Sequence, residues 1–149
     1  MTTTRRIRAA IKTILEPHLS GEGFTGKYPH FQRIEKGRLH LLSVVHDQYG
    51  GGFVLEFAQV HPGPFQAPWG AIIPQVKLNT SYTAPDARAR LVNTARGQGT
   101  YDDFFRYDDG AMDRNACETL VSRVVSHFPQ INDWLRAGEA GQNIATFSA

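Results

Sequence analysis

The sequence predicts an α+β fold, with an N-terminal helix, a central antiparallel sheet of about four to six strands, and C-terminal helices packed on one face. Three observations predict it. Residues 3–20 place apolar side chains at helical spacing, and residues 113–135 do so again. Between them, residues 30–61 read as three strands separated by turn-forming glycines.

The first helix is predicted over residues 3–20. We expect Thr3 or Thr4 to cap its start and glycines 21 and 23 to stop it. Pro17 should break the last turn, so the regular helix is expected to end near Glu16. Phe24 is then expected to return the chain to the core.

The three strands are predicted over residues 30–35, 38–46 and 53–61. In the third strand, Phe53, Leu55 and Phe57 share one parity and form the better core face. The second strand is apolar on both parities, which predicts a central strand covered on both faces. Further short strands are expected over residues 75–79, 88–93 and 104–107.

Residues 62–75 are proline-rich and predict a long loop or an edge excursion, because proline removes a backbone donor. The segment is unusually apolar for a loop. We therefore select Phe65, Trp69 and Ile72 as candidate interface residues. For Trp69 two outcomes stay open: it anchors an interface, or it folds back into the core.

The C-terminal half predicts a helix over residues 113–128 with Asp113 as a cap, and a second helix that begins at Pro129 and ends at Gly138. The chain of 149 residues suits one domain, which we place at residues 1–138. Residues 139–149 are mostly small residues, and we expect them to form a flexible C-terminal tail.

Charge and composition disfavour several classes of function. The net charge of +2 comes from 16 basic and 14 acidic residues without a basic stripe, which disfavours a nucleic-acid partner. No apolar run is long enough for a membrane helix, and the N-terminus is not typical of a signal peptide. A single cysteine does not indicate an oxidising compartment, so we expect a cytoplasmic protein.

No motif fixes a chemistry. The acidic residues Asp102, Asp103, Asp108 and Asp109, with Asp113 beyond them, do not match a calcium loop, so turn formation and helix capping are the favoured roles. Cys117 lies on an apolar helix stripe and is expected to be core. We expect no metal site, cofactor or catalytic residue. Whether the domain is an enzyme stays open, with a non-catalytic role favoured.

Four polar residues are candidates for ligand binding on a sheet face: Arg33, His40, His46 and Arg90. Arginine suits anionic groups because its planar fork donates two parallel hydrogen bonds. His40 and His46 share a parity but lie roughly 20 Å apart along the strand, too far to ligate one metal. The four residues can line one cleft only if the neighbouring strands bring Arg33 and Arg90 to the same face as the two histidines.

A longer series of short motifs resembles the bacterial domain-of-unknown-function family 4304. It consists of Gly23-Phe24 after a helix, Phe31-Gln-Arg33, the strand ending His46-Asp-Gln48, the aromatic strand 53–57 and Arg88-Ala-Arg90-Leu91. The resemblance covers about residues 5–137 and implies a compact α+β domain without an assigned activity. It also implies that inhibition of a partner, as in toxin-immunity pairs, is one role for such domains.

This sequence departs from the family pattern at two places. His46 stands where the family tends to have glutamine, and residues 101–107 replace a tryptophan-bearing segment before the last helix. Arg33 and Arg90 match motif positions to which the resemblance assigns no role.

Two functions remain from the sequence. The first is a non-catalytic binding or interaction protein, whose partner is another protein, as for an inhibitor of the immunity type, or a second copy in a dimer. The alternative is a small-molecule-binding protein or an enzyme that uses a polar cleft on the sheet face. Nucleic-acid binding ranks last.

Overall fold

A computed structural model describes residues 2–108 and 110–147. The chain begins with α1 (Thr3–Ala10), a π-helical turn (Ile11–Leu15) and α2 (Glu16–Gly21). The strands of the main sheet are β1 (Thr25–Lys27), β2 (His30–Glu35), β3 (Arg38–His46), β4 (Gly52–Val60), β7 (Arg88–Leu91), β8 (Phe105–Arg106) and β9 (Ile144–Thr146). A separate two-stranded hairpin contains β5 (Phe65–Gln66) and β6 (Ile72–Ile73), and the C-terminal helices are α3 (Arg114–Ser126) and α4 (Phe128–Ala137). The α+β fold predicted from the sequence is confirmed.

The N-terminal helix runs through Pro17, so the prediction that it ends near Glu16 is wrong. The π-helical turn ends at Leu15, two residues before Pro17, and the amide of Glu16 donates to the carbonyl of Ile11. This wider turn changes the hydrogen-bond register where a proline lacks its donor, and the helix continues to Gly21. The cap is Thr2, whose hydroxyl accepts from the Arg5 amide at 3.2 Å, and not Thr3 or Thr4.

The main sheet is antiparallel in the order β1-β2-β3-β4-β7-β9, and β8 pairs with the end of β4. The register places Arg33 opposite His40 on β2 and β3, and Glu56 opposite Arg90 on β4 and β7. Residues 75–79, predicted as a strand, instead form a 3₁₀ turn (Gln75–Lys77), because Pro74 precedes them and they pair with no strand in the described chain.

The helices cover one face of the sheet, as predicted. Phe53, Leu55 and Phe57 lie on that face in the main core, which confirms the parity assigned to β4. Trp134 of α4 packs edge-on against Phe57, with ring centroids 5.5 Å apart. Phe24 is buried in the same core, as expected.

The second face of the sheet is covered by the proline-rich segment. Leu39 and Leu41 of β3 form a smaller core with Leu78, and Phe65 and Ile73 of the hairpin pack against it. This double coverage confirms that β3 is central. It also gives the sheet a distinct outer face, which carries the odd-numbered residues of β3 and the even-numbered residues of β4 and β7.

The C-terminal segment differs from the prediction because it contains a strand of the main sheet. Residues 139–149 were expected to be a flexible tail, but β9 pairs with β7 and buries Ile144 in the main core. Burial of that one branched side chain and the strand pairing hold the segment in place. Residues 148 and 149 of the predicted tail lie outside the described residues.

Over residues 2–108 and 110–147, none of the helices combines the length and the apolar character that crossing a membrane requires.

Candidate functional site

Arg33 and His40 lie together on the helix-covered face, deep in the protein. Arg33 donates from Nε to Nδ1 of His40 at 3.0 Å, from Nη1 to the Glu22 carbonyl at 3.0 Å and from Nη2 to Oδ1 of Asn132 at 2.9 Å. Asn132 in turn donates to the Glu22 carboxylate at 3.1 Å. The cluster joins the end of the N-terminal helix, two strands and α4, which gives both predicted ligand residues a structural role.

Burial in this cluster changes the acid–base behaviour of His40. Burial first, and then the positive charge of Arg33, lower the pKa of His40 to about 4. The ring is therefore neutral near pH 7 and accepts at Nδ1, which requires the proton to sit on Nε2.

His46 lies at the far end of β3, on the same face as His40, as the shared parity predicts. Its Nε2 contacts the Tyr28 hydroxyl and its Nδ1 lies 3.3 Å from the Tyr107 hydroxyl. Burial and the nearby Arg8 lower the pKa of His46. Both ring nitrogens are thus occupied by phenols.

The side chain of Arg90 lies on the outer face, opposite the face that carries the side chains of Arg33, His40 and His46. Its Nε donates to Oε2 of the buried Glu56 at 2.9 Å, and Arg88 approaches the other carboxylate oxygen at 3.9 Å. The Phe147 ring lies over both guanidinium groups, with centroid distances of 5.8 and 5.5 Å. Two arginines therefore share one buried carboxylate.

An open cavity on the outer face, which we call the sheet cleft, is lined by Arg90 and, at its edge, by His46 at the end of β3. Its volume is about 820 Å³. The floor comes from Val45, Arg90, Val92 and Ala145, and the walls come from the β3–β4 loop, residues 96–104 and Phe147. Arg33 and His40 do not line the cleft, and the His46 ring is bonded to Tyr28 and Tyr107 on the other face, so Arg90 is the one predicted ligand residue whose side chain lies on the face of the cleft.

The rim of the sheet cleft is held by an ion-pair network that sequence reasoning missed. Arg106 bonds Asp47 at 2.7 Å and Asp108 at 2.5 Å, and its guanidinium stacks on the Tyr101 ring at 3.6 Å. The hydroxyl of Tyr101 donates to Asp108 at 2.6 Å. The sequence feature that indicates this network is the run of three glycines at residues 50–52. A Cβ at residue 51 would lie 2.6 Å from Asp108, so only glycine allows this close approach.

Two of the acidic residues, Asp103 and Asp113, act in a turn and a helix cap as expected, whereas Asp108 pairs with Arg106. Asp103 accepts from Thr94 and from the amides of Gln98 and Gly99, and Asp113 caps α3 through the Ala116 amide at 2.8 Å. No group of three or more potential metal ligands occurs in residues 2–108 and 110–147, and Asp109 lies outside the described residues.

Two groups with nucleophile chemistry are inaccessible. Ser43 lies 2.8 Å from Nδ1 of His30 and accepts from Thr80 at 3.2 Å, yet only 2% of Ser43 is exposed. Cys117 is buried, and burial raises the pKa of its thiol. Neither can reach a substrate, because attack requires an exposed, deprotonated group.

The candidate interface residues lie on the β5–β6 hairpin. Phe65 faces inward against Tyr82, whereas Trp69 at the tip is 69% exposed and Ile72 is 68% exposed. Trp69 therefore does not fold back into the core. Ile34 (62%) and Val76 (82%) are also exposed. Ile34 lies on β2 and Val76 on the 3₁₀ turn, and Gln32 of β2 bonds the carbonyls of Gln75 and Leu78 at the two ends of that turn. Leu78 packs in the same small core as Phe65 and Ile73 of the hairpin. We call these four side chains, Ile34, Trp69, Ile72 and Val76, the apolar hairpin surface.

Comparison with known proteins identifies the family of the chain. The model of the family described as Domain of unknown function (DUF4304) matches residues 15–137. The chain belongs to the DUF4304 family. The match runs from the π-helical turn to the end of α4 and so includes the apolar hairpin surface and most of the sheet cleft, but not β9. No curated protein and no solved structure matches the chain.

Proposed function

We propose that this DUF4304 domain is a non-catalytic binding protein that recognises an acidic partner protein through the apolar hairpin surface. The observation that carries the proposal is the exposure of four large apolar side chains, each more than 60% exposed, on neighbouring segments of one face. Contiguous exposed apolar residues mark interaction sites on soluble domains, and tryptophan dominates the binding energy of many interfaces.

The backbone under this surface supports the proposal. At the tip, the Gly70 amide donates to the Ala67 carbonyl at 3.0 Å across a turn that contains Pro68 and Trp69. The base is held by Gln75, whose side chain accepts from the Gly63 amide at 2.5 Å. A stiffened loop loses less conformational entropy on binding than a flexible one, so its exposed ring is well suited to anchor a partner.

The charges around the surface favour an acidic partner over a second copy of the chain. Lys27, Lys36, Arg38 and Lys77 are exposed beside it, and none of them pairs with a carboxylate in residues 2–108 or 110–147. The neighbouring Glu35 is already bonded by Arg136 at 2.8 Å through both oxygens. Because two such basic rims repel each other, self-association through this face is disfavoured.

Inhibition of the partner, as in an immunity protein, is the version of this function that we favour, and a bacterial cytoplasm is the setting we propose for it. An inhibitor needs only a surface that occupies its target, which agrees with the inaccessible Ser43 and Cys117.

Site-specific photo-crosslinking in the source cells tests the proposal. A benzophenone amino acid at position 69 is compared with the same group at Tyr49, which is 89% exposed at the opposite end of β3. We expect position 69 to capture an acidic protein that position 49 does not capture. Crosslinked dimers of the chain, or the same products from both positions, would contradict it.

A further inference from the structure

The sheet cleft has the dimensions and the lining of a small-molecule site, and it lies apart from the apolar hairpin surface. Its volume of about 820 Å³ lies within the range of about 300–1,000 Å³ that is typical of ligand pockets. Whatever binds there is independent of the protein partner proposed above.

The first donor in the cleft is Arg90, and its guanidinium is held in place by a hydrogen bond to the buried Glu56. The buried Glu56 holds Nε, and residues 2–108 and 110–147 provide no hydrogen-bond partner for the two terminal nitrogens. Because Arg88 shares the same carboxylate, the group formed by Arg88, Glu56 and Arg90 carries a net charge of +1. A guanidinium anchored in this way is preorganised to bind an anionic group. Asp103 also lines the cleft, and its carboxylate accepts hydrogen bonds from Thr94 and from the amides of Gln98 and Gly99.

A second arginine lies at the same end of the cleft as Arg90. Arg90 pairs with Ala145 in the sheet register, and a Cβ on Gly97 would lie 2.9 Å from the Cβ of Ala145. Arg96 adjoins that glycine, lines the cleft and bonds no carboxylate within the described chain. Its backbone amide donates to the Gln142 carbonyl at 2.6 Å, which fixes the turn that carries it.

The wall of the cleft formed by residues 96–104 supplies an aromatic surface. The Tyr101 ring is 55% exposed, yet it is held by Arg106 on one face and by Asp108 at the hydroxyl. Asp47 and Asp108 are both bonded to Arg106, so these carboxylates have their own counter-ion. A fixed and exposed ring of this kind stacks well on a planar ligand.

We propose that the sheet cleft binds a small molecule with one planar aromatic ring and one anionic group. Arg90 and Arg96 bind the anion, and Tyr101 contacts the ring. A nucleoside monophosphate and an aromatic carboxylate share this chemistry, and the two are separated by experiment.

Calorimetric titration of the full chain tests the proposal. The probes are the four ribonucleoside 5′-monophosphates and the carboxylates benzoate and indole-3-acetate. Two controls are the separate halves of such a ligand: adenosine has the ring without the anion, and inorganic phosphate is the anion without the ring. We expect at least one ring-bearing anion to bind, and the separate halves to bind at least about tenfold more weakly. Whether a phosphate or a carboxylate binds identifies the anion.

The variants R96Q and Y101L locate the binding. Both residues are exposed, so neither change should unfold the chain, and R5Q on the exposed side of α1 is the matched control. We expect R96Q and Y101L each to weaken binding about fivefold or more, with R5Q unchanged. The proposal is overturned if no ring-bearing anion binds at millimolar concentration, if adenosine binds as well as its monophosphate, or if both variants bind like the wild type.

Discussion

At the scale of single residues, Arg33 connects more of the molecule than any motif in the sequence suggested. Its three donors reach a helix end, a strand and α4, and its guanidinium lies 4.5 Å from the centre of the Phe24 ring. The close approach also explains Gly23, since a Cβ there would contact the Arg33 side chain at 3.4 Å and the backbone has φ of +90°.

Replacement of Arg33 by methionine is expected to destabilise the fold by about 3 kcal/mol or more, because His40, Asn132 and the Glu22 carbonyl lose their buried donor. Urea denaturation measures the loss. The exposed Arg5→Met change is the control and should stay within about 0.5 kcal/mol of the wild type. Equal stability of the two variants would show that the cluster contributes little.

His40 contributes to the pH dependence of stability, alongside other histidines whose pKa burial lowers, such as His46. The folded pKa of about 4 for His40 lies below its ordinary value near 6.5, so the unfolded chain binds a proton first as the pH falls. Stability from this group is therefore complete above about pH 6.5 and is lost towards pH 4, with a slope of up to about 1.4 kcal/mol per pH unit.

The variant H40N keeps an acceptor for Arg33 but cannot titrate, so its stability should fall less steeply over that range. Urea midpoints between pH 7 and pH 4.5 provide the comparison, since Glu35, whose pKa is lowered to about 2 mainly by its hydrogen bond from Arg136, begins to contribute below that range. Parallel curves for the two chains would remove His40 as the cause.

At the scale of elements, local patterns predicted the long strands and helices, and long-range pairing decided the rest. The long elements lie where the sequence predicts them. Apolar periodicity indicates strands β2, β3 and β4, and it indicates helices α3 and α4 together with the caps Asp113 and Gly138. Strand β9 has only three residues, and its place is set by pairing with β7 more than fifty positions away. No local signal carries that information.

The same limit applies to the candidate site. Parity correctly placed His40 and His46 on one face, but the cross-strand register that puts Arg33 beside His40 and Arg90 beside Glu56 is invisible in a single sequence. Arg96 and Tyr101 were missed because loop conformation alone brings them to the cleft.

The C-terminal strand is expected to be an integral part of the fold. Ile144→Ala should cost about 3 kcal/mol, because the side chain is buried in the main core. Gln142→Ala is the matched control, since its side chain is exposed and its carbonyl bond to Arg96 remains. Thermal unfolding of both variants is the measurement, and equal melting temperatures would restore the view of this segment as a tail.

At the scale of the whole molecule, the main core lies on one face of the sheet and the two proposed binding surfaces lie on the other. One face carries the helices and the main core, and the outer face carries both the apolar hairpin surface and the sheet cleft at opposite ends of β3. The two surfaces share no lining residue, so changes to one are expected to leave the other intact.

The most direct test of the proposed function is the affinity of the purified crosslinked partner for three forms of the chain: wild type, W69S and Y49S. Trp69 and Tyr49 are both exposed aromatic residues, but only Trp69 belongs to the apolar hairpin surface. We predict that W69S weakens binding by about thirtyfold, equivalent to about 2 kcal/mol, while Y49S binds like the wild type. Unchanged binding by W69S, or a comparable loss in Y49S, would contradict recognition through the apolar hairpin surface.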